Sequence, residues 1–210
     1  MFLSKLLLNP RSKQVMNEIN DPYQMHRTIM NAFYNGTEKS GRVLFRVEIS
    51  KRIPDITLLV QSELEPDWQK LIDKFPAYLS EKENKYEYKK IILSVRSGQR
   101  LRFRLRANPT VKKITDGKKN GRRVGILDEQ EQKEWMKRKA KAGGFKLIDC
   151  TVVDEGFVNS QKNSRKLTLL SVKFEGFIEV IETGKFLNCI QSGIGSAKGF
   201  GFGLLSIAPA

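Results

Sequence analysis

An α+β fold made of two consecutive β-α-β-β-α-β units is what this 210-residue sequence predicts, on three observations. Apolar and polar residues alternate with period two in several short runs, the mark of half-buried strands. Between some of these runs lie helix-start signals followed by apolar residues at i, i+3, i+4 spacing. The length suits two domains of about a hundred residues each, and 40% hydrophobic with 29% charged residues is a globular composition.

In the first unit, Phe2 to Leu8 reads as a strand closed by Asn9-Pro10. Asp21-Pro22 pairs an N-cap residue with a proline suited to the first helical position, and opens a helix running to about Tyr34, where Asn35-Gly36 stops it. Val43 to Ile49 and Ile56 to Gln61 read as strands on either side of Arg52-Ile-Pro54-Asp55. A second helix starts near Glu65-Pro66-Asp67 with Trp68, Leu71 and Ile72 on one face, and a strand near Lys89 to Val95 completes the unit. The second unit runs Arg100 to Ala107 (strand), Asp128 to Ala140 (helix, ended by Gly143-Gly144), Phe145 to Val153 and Leu167 to Val180 (strands), Gly184 to Ile190 (helix) and Leu204 to Ile207 (strand). The halves share no visible sequence repeat, so the duplication is one of pattern. It predicts tandem ferredoxin-like, RRM-like domains, residues 1–94 and 95–210.

Composition narrows the chemistry. No run approaches the roughly 18 apolar residues needed to cross a bilayer, and Leu6, Leu7 and Leu8 are too few for a signal-peptide core, so a soluble cytoplasmic protein without membrane contact is expected. Two cysteines, Cys150 and Cys189, and one histidine, His26, are too few for a disulfide framework, a Cys₄ zinc site or a site with two His ligands. No metal and no cofactor is expected.

The formal charge is +15, and it is concentrated. Between Lys89 and Arg123 thirteen basic residues face one acid, Asp116, so this window holds +12 of the total. Clustered charge of this size is the footprint of phosphate neutralisation, driven by release of counterions. Within the window, Arg100, Arg102, Arg104 and Arg106 alternate with Leu101, Phe103, Leu105 and Ala107, which puts the four guanidinium groups on one strand face about 6–7 Å apart. Their mutual repulsion calls for an anionic cover, and a polyanion would supply it. Gly117-Lys118-Lys119-Asn120-Gly121-Arg122-Arg123 reads as a mobile basic loop able to clamp the same ligand, with Lys112 and Lys113 just before it as further candidates to bind it.

On the first predicted helix Tyr23, His26, Arg27, Asn31 and Tyr34 fall on one side and Met25, Ile29, Ala32 and Phe33 on the other. His26 therefore faces away from the core of its own unit. A tyrosine one turn before it and an arginine beside it suit phosphodiester transfer in RNA, where the 2′-hydroxyl is an attached nucleophile and the protein need only move protons and stabilise charge. His26 would take or give a proton, Tyr23 would position the nucleotide or assist, and Arg27 would stabilise the phosphorane.

Near the C-terminus, the stretch from Gly193 to Gly203 carries five glycines, including Gly199 and Gly201 beside Lys198. It lacks the GxxxxGK[ST] of a P-loop and the spacing of a dinucleotide fingerprint, and matches only the first five positions of the RRM RNP1 motif. Its physical content is backbone N–H groups unshielded by side chains, which can press on a phosphate backbone with Lys198 adding charge.

Leu-Leu-Leu-Asn-Pro-Arg-Ser (6–12), Asp-Pro-Tyr-Gln-Met-His-Arg-Thr (21–28), Glu65-Pro-Asp-Trp68, Gly98-Gln-Arg-Leu-Arg-Phe-Arg-Leu-Arg-Ala-Asn-Pro109 and the glycine-rich tail, in that order, resemble the CasE family of CRISPR-associated endoribonucleases. The resemblance implies two ferredoxin-like domains and metal-independent cleavage at the base of a CRISPR repeat stem-loop RNA. It implies products with a 5′-hydroxyl and a 2′,3′-cyclic or 3′-phosphate, retention of the cut RNA, and a place among the other Cascade subunits, with a monomer when free. Tyr23 and His26 match the family's catalytic tyrosine and histidine. Where some members carry a lysine and a serine this chain has Asn31 and Tyr34, so Arg27 or a lysine from elsewhere would stabilise the transition state. The arginine strand and basic loop match the region expected to grip the stem, read through phosphates and shape. A non-catalytic RNA-binding subunit using the same basic groove is the alternative.

Overall fold

The computed structural model describes residues 1–33, 41–49, 56–82, 85–113, 121–162 and 165–210. A first sheet is built from β1 (Phe2–Leu8), β2 (Val43–Ile49), β3 (Ile56–Ser62) and β4 (Tyr86–Lys90), in the order β2-β3-β1-β4, all neighbours antiparallel. A second sheet is built from β5 (Arg100–Ala107), β8 (Phe145–Lys162), β9 (Arg165–Val180) and β10 (Leu205–Pro209), in the order β10-β5-β9-β8. Numbered within its own unit, each sheet has the order 4-1-3-2. This is the ferredoxin-like arrangement, twice. Helices α1 (Lys13–Asn20), α2 (Pro22–Ile29) and α3 (Trp68–Lys74) belong to the first half, and α4 (Glu129–Ala142) and α5 (Thr183–Ser192) to the second. Residues 91–99, which contain the 94/95 division, form neither helix nor strand.

Several elements depart from the sequence expectation. The first crossover holds two helices, because Ser12 caps a short one of its own, its side chain accepting from the Val15 amide. The histidine helix stops at Ile29 and passes into a 3₁₀ turn over Met30–Ala32, well short of Tyr34. Tyr34, Asn35-Gly36 and the Arg52 to Asp55 turn lie outside the described residues. The fourth strand covers Tyr86–Lys90, not Lys89 to Val95, because Phe2 to Leu6 of β1 pair with Lys90 back to Tyr86. The predicted mobile loop starts and ends as a hairpin: β6 (Thr110–Lys113) pairs antiparallel with β7 (Arg122–Gly125). Strand β8 runs to Lys162, nine residues beyond Val153, because register shifts between Leu147 and Asp149 and between Asp154 and Phe157 reset the alternation that marks a strand.

Two hydrophobic clusters lie under the two sheets. One gathers Leu6, Met25, Ile29, Phe45, Leu58, Trp68 and Leu71, the other Phe103, Leu105, Trp135, Phe174, Ile178 and Phe186. Between them, buried polar side chains of the first half are satisfied by the second. Arg46, 4% exposed, donates to Glu48 (2.7 Å), to the Leu204 carbonyl (3.1 Å) and to Ser206 Oγ (2.9 Å). Gln61 donates to the Ile190 carbonyl at 2.8 Å.

The position of α2 is fixed from below by a buried carboxylate. Glu18 on α1 accepts from Thr28 Oγ1 (2.6 Å) on α2, from Tyr78 Oη (2.6 Å) and from Gln14 Nε2 (2.8 Å). Burial and the Glu18 charge raise the Tyr78 pKa, so the phenol stays a donor. Glu18→Ala strands two buried hydroxyls without an acceptor and is expected to lower the unfolding free energy by about 2–4 kcal/mol, with Glu18→Gln losing less, as measured by urea denaturation.

Candidate active site

Helix α2 turns Met25 and Ile29 into the first core, which leaves His26 and Tyr23 on its other side. That side does not face solvent; it faces the second half of the molecule. The imidazole stacks on Phe45 of β2, with ring centroids 6.1 Å apart and planes 10° apart. The glycine-rich tail closes over it. A Cβ on Gly199 would lie 3.4 Å from His26 Cδ2 and 3.6 Å from Nε2, an ordinary contact distance that places the loop beside the ring. Gly201, with φ of +79°, is tighter against Phe45, where a Cβ would lie 3.2 Å from the ring. Ala197 takes φ of +62°, alone among non-glycine described residues. Tyr23 stacks on Phe200 of this loop (5.5 Å) and lies 6.4 Å from the His26 ring.

These residues wall a cavity of about 520 Å³ together with Arg42, Lys162, Ser196 and Lys198. Its three cations come from three segments: Arg42 precedes β2, Lys162 ends β8 with its Nζ 5.3 Å from the Tyr23 ring centroid, and Lys198 sits in the glycine-rich loop. No carboxylate of the described residues lines it. Burial first, and then the Lys162 charge, hold the His26 pKa below its ordinary 6.5, so the ring is neutral at pH 7. Nδ1 is buried without a hydrogen-bond partner among the described residues. Burial first, then Arg42 and Lys139, lower the Lys198 pKa, with Cys189 acting against them.

The sequence-derived residues divide. Tyr23, His26, Lys198 and Gly199 come together at this cavity, and Gly201 supports it through Phe45. Arg27 is exposed, donates to Gln24 Oε1 (3.2 Å) and does not line the cavity. Asn31 accepts a hydrogen bond from Lys74 Nζ at 2.8 Å, also away from the cavity wall. Reading along the chain did not find Arg42 or Lys162. Lys162 sits in the polar stretch from Asn159 to Arg165, where nothing marks one cation over another until the strand's true length is known.

The expectation that the arginine strand needs a polyanion to offset its repulsion is corrected. Strand β5 lies between β9 and β10, and β9 places glutamates opposite: Arg100 faces Glu179 and Arg104 faces Glu175. Arg104 binds Glu175 and, at 3.3 Å, Glu48; Arg106 binds Glu155 (2.7 Å); Arg100 lies 3.9 Å from Glu179. Glu175 and Glu179, four residues apart and so on one face of β9, were the readable signal. Arg102 has no acidic partner among the described residues. The charge left uncompensated is on the β6–β7 hairpin, where exposed Lys112 is paired with Arg123 and Lys113 with Arg122. Lys118 and Lys119 lie outside the described residues.

Residues 1–209 match the family model described as CRISPR associated protein. The chain is 32% identical over 222 residues to the CRISPR-associated endoribonuclease Cse3 of Thermus thermophilus, covering all of both chains. It belongs to this CRISPR-associated family. Within the family it is also 28% identical to the Cascade subunit CasE of Escherichia coli K12, again over the whole of both chains. The structure of T. thermophilus Cse3 with an RNA representing a pre-cleavage complex superposes with a TM-score of 0.86 at 33% identity, covering 99% of this chain and 98% of that one. E. coli Cas6e superposes with a TM-score of 0.72 at 27% identity over the whole of both chains. No described helix is long and apolar enough to cross a membrane.

Because His26 is the sole histidine, its titration can be followed as a single imidazole signal by NMR. The midpoint is expected below pH 6.5, and Lys162→Gln is expected to raise it without restoring 6.5, since burial is the larger cause.

Proposed function

We propose that the protein is the endoribonuclease that cuts CRISPR repeat stem-loop RNA in a Cascade system, using the cavity around His26, and that it holds the cut RNA as a Cascade subunit. The observation that carries this reading is the site itself: one neutral imidazole and one phenol in a cavity ringed by three cations and glycine backbone. The matching relatives support it by name, Cse3 as an endoribonuclease and CasE as a Cascade subunit, as does the capture of Cse3 on an RNA before cleavage.

The scissile phosphate enters between the cations. His26, neutral at pH 7, takes the 2′-hydroxyl proton, and that oxygen attacks the adjacent phosphorus. Arg42, Lys162 and Lys198, with the amides of the glycine-rich loop, offset the charge that builds on the phosphorane. Tyr23 orients the nucleotide and gives its phenolic proton to the leaving 5′-oxygen, the phenol being restored by the proton His26 took from the 2′-hydroxyl. The products are a 5′-hydroxyl and a 2′,3′-cyclic phosphate. No step calls for a divalent ion, and the lining suits phosphate and not a hard cation, which takes oxygen ligands from carboxylates. Arg27, exposed and engaged with Gln24, serves outside the chemistry, against the reading from helix spacing.

Labelled repeat RNA incubated with the protein in excess chelator is expected to be cut, and His26→Ala or a 2′-deoxy substitution at the cut nucleotide to abolish cutting while binding stays within a few-fold. The acid limb of the cleavage rate should fall below pH 6.5, following the lowered imidazole pKa. Binding without cleavage by the wild-type chain would leave a non-catalytic RNA-binding subunit, and loss of cleavage in chelator would require a metal.

The β6–β7 hairpin and Arg102 bind the phosphates of the stem. Replacing Lys112, Lys113, Arg122 and Arg123 by Ala is expected to lower the salt-dependence slope of binding by about one for each phosphate no longer neutralised. Arg104→Ala, which instead breaks the Glu48 and Glu175 bridges, leaves the slope unchanged. An unaltered slope in the hairpin variant removes the hairpin from the interface.

A further inference from the structure

Helix α2 has only eight residues and starts without a cap of its own, since the Asp21 side chain bonds none of the helix's first amides. Such a start leaves N–H groups orphaned unless another partner serves them. The partner comes from the other half of the molecule. The Tyr23 amide donates to Ser160 Oγ at 3.3 Å, and the same hydroxyl donates to Asp21 Oδ1. The Gln161 amide donates to Asp21 Oδ1 as well, at 3.3 Å. Ser160 is 7% exposed. Asp21 is the single residue between α1 and α2, and its own amide closes α1 on the Asn17 carbonyl at 3.0 Å. The end of β8 therefore grips the joint of the two helices and supplies the missing cap from across the seam. Two residues further along the same strand is Lys162, against the Tyr23 ring.

We propose that Ser160 is a positioning residue for RNA cleavage: by capping α2 from β8 it fixes Tyr23 and His26 in register with Lys162 across the seam. This rests on the cavity being the cleavage site. The geometry joins groups that no single half contains. Tyr23 and His26 ride on a helix whose first turn is held by Ser160. Lys162 is placed by the strand that Ser160 belongs to. A displacement of about 1 Å between a proton-transfer group and its substrate is enough to cost on the order of a hundredfold in rate.

The groups facing His26 are Tyr23 on its own helix, Lys162 on β8, Lys198 in the glycine-rich loop and Arg42 before β2. Loss of the latch should free Lys162 from this set, so the imidazole midpoint is a direct reporter of the latch. The test compares wild type, Ser160→Ala, Ser160→Thr and His26→Ala on repeat RNA under single-turnover conditions at saturating protein, with the His26 titration read by NMR. Ser160→Ala is expected to slow the rate constant about ten- to a hundredfold with RNA affinity within about threefold, and to raise the His26 midpoint. Ser160→Thr, which keeps the hydroxyl, is expected to restore both. A merely destabilising change would lower the amplitude of the turnover and leave its rate constant and the midpoint alone.

If Ser160→Ala does not fold, Ser160→Cys keeps the volume while weakening both bonds and carries the same test. A wild-type rate constant and midpoint in whichever variant folds, with His26→Ala inactive, overturns the role of Ser160 and leaves the site reading standing. Cleavage by His26→Ala overturns the site reading and this proposal together.

Discussion

The molecule depends on how closely backbone can be pressed against two aromatic rings. His26 and Phe45 stack on each other, and the glycine-rich tail of the second half lies on both, Gly199 against the imidazole and Gly201 against the phenyl ring. Gly193 meets Leu44 at the same seam, where a Cβ would come within 2.8 Å of Leu44 Cδ1. Side chains at Gly193 and Gly201 would crowd Leu44 and Phe45 and push the halves apart, whereas one at Gly199 would meet the imidazole at an ordinary contact distance. The glycines thus act at once as packing surface and as the wall that brings Lys198 to Tyr23 and His26.

The electrostatics follow the same division between what is satisfied internally and what is left for a ligand. Along β5 the guanidinium groups are largely matched by glutamates of β9 and its neighbours, and Arg46 is buried among acceptors contributed by both halves. Around the cavity nothing acidic among the described residues stands opposite Arg42, Lys162 and Lys198, and on the β6–β7 hairpin cation is paired with cation. A high formal charge is therefore sorted into a structural part, which holds the sheets, and a part that no described acid neutralises.

Much of the fold was legible in the sequence because period-two alternation survives where strands are regular. Val43–Ile49, Ile56–Ser62 and Arg100–Ala107 were read almost to the residue. Strand β8 was not read past Val153, because the register shift between Asp154 and Phe157 interrupts the alternation there. That loss concealed Ser160 and Lys162, and with them the way the halves are joined. His26 and Tyr23 stood out by rarity and spacing, as did the glycines. Arg27 lies away from the cavity: helix periodicity says which side of α2 a residue occupies and nothing of what lies across from it. The strand's four arginines were legible as a face, but the glutamates that meet Arg100 and Arg104 sit some seventy to eighty positions away in β9, and the one that meets Arg106 sits in β8, where only the sheet's register could match them.

The order of these pieces along the polypeptide has a consequence for its synthesis. His26 and Tyr23 emerge early, Lys162 late, and Lys198 with Gly199 almost last, just before β10 docks beside β5 to finish the second sheet. A chain that has released only the histidine helix therefore holds the imidazole without the cations that line its cavity, and that cavity is walled only once the glycine-rich loop is in place.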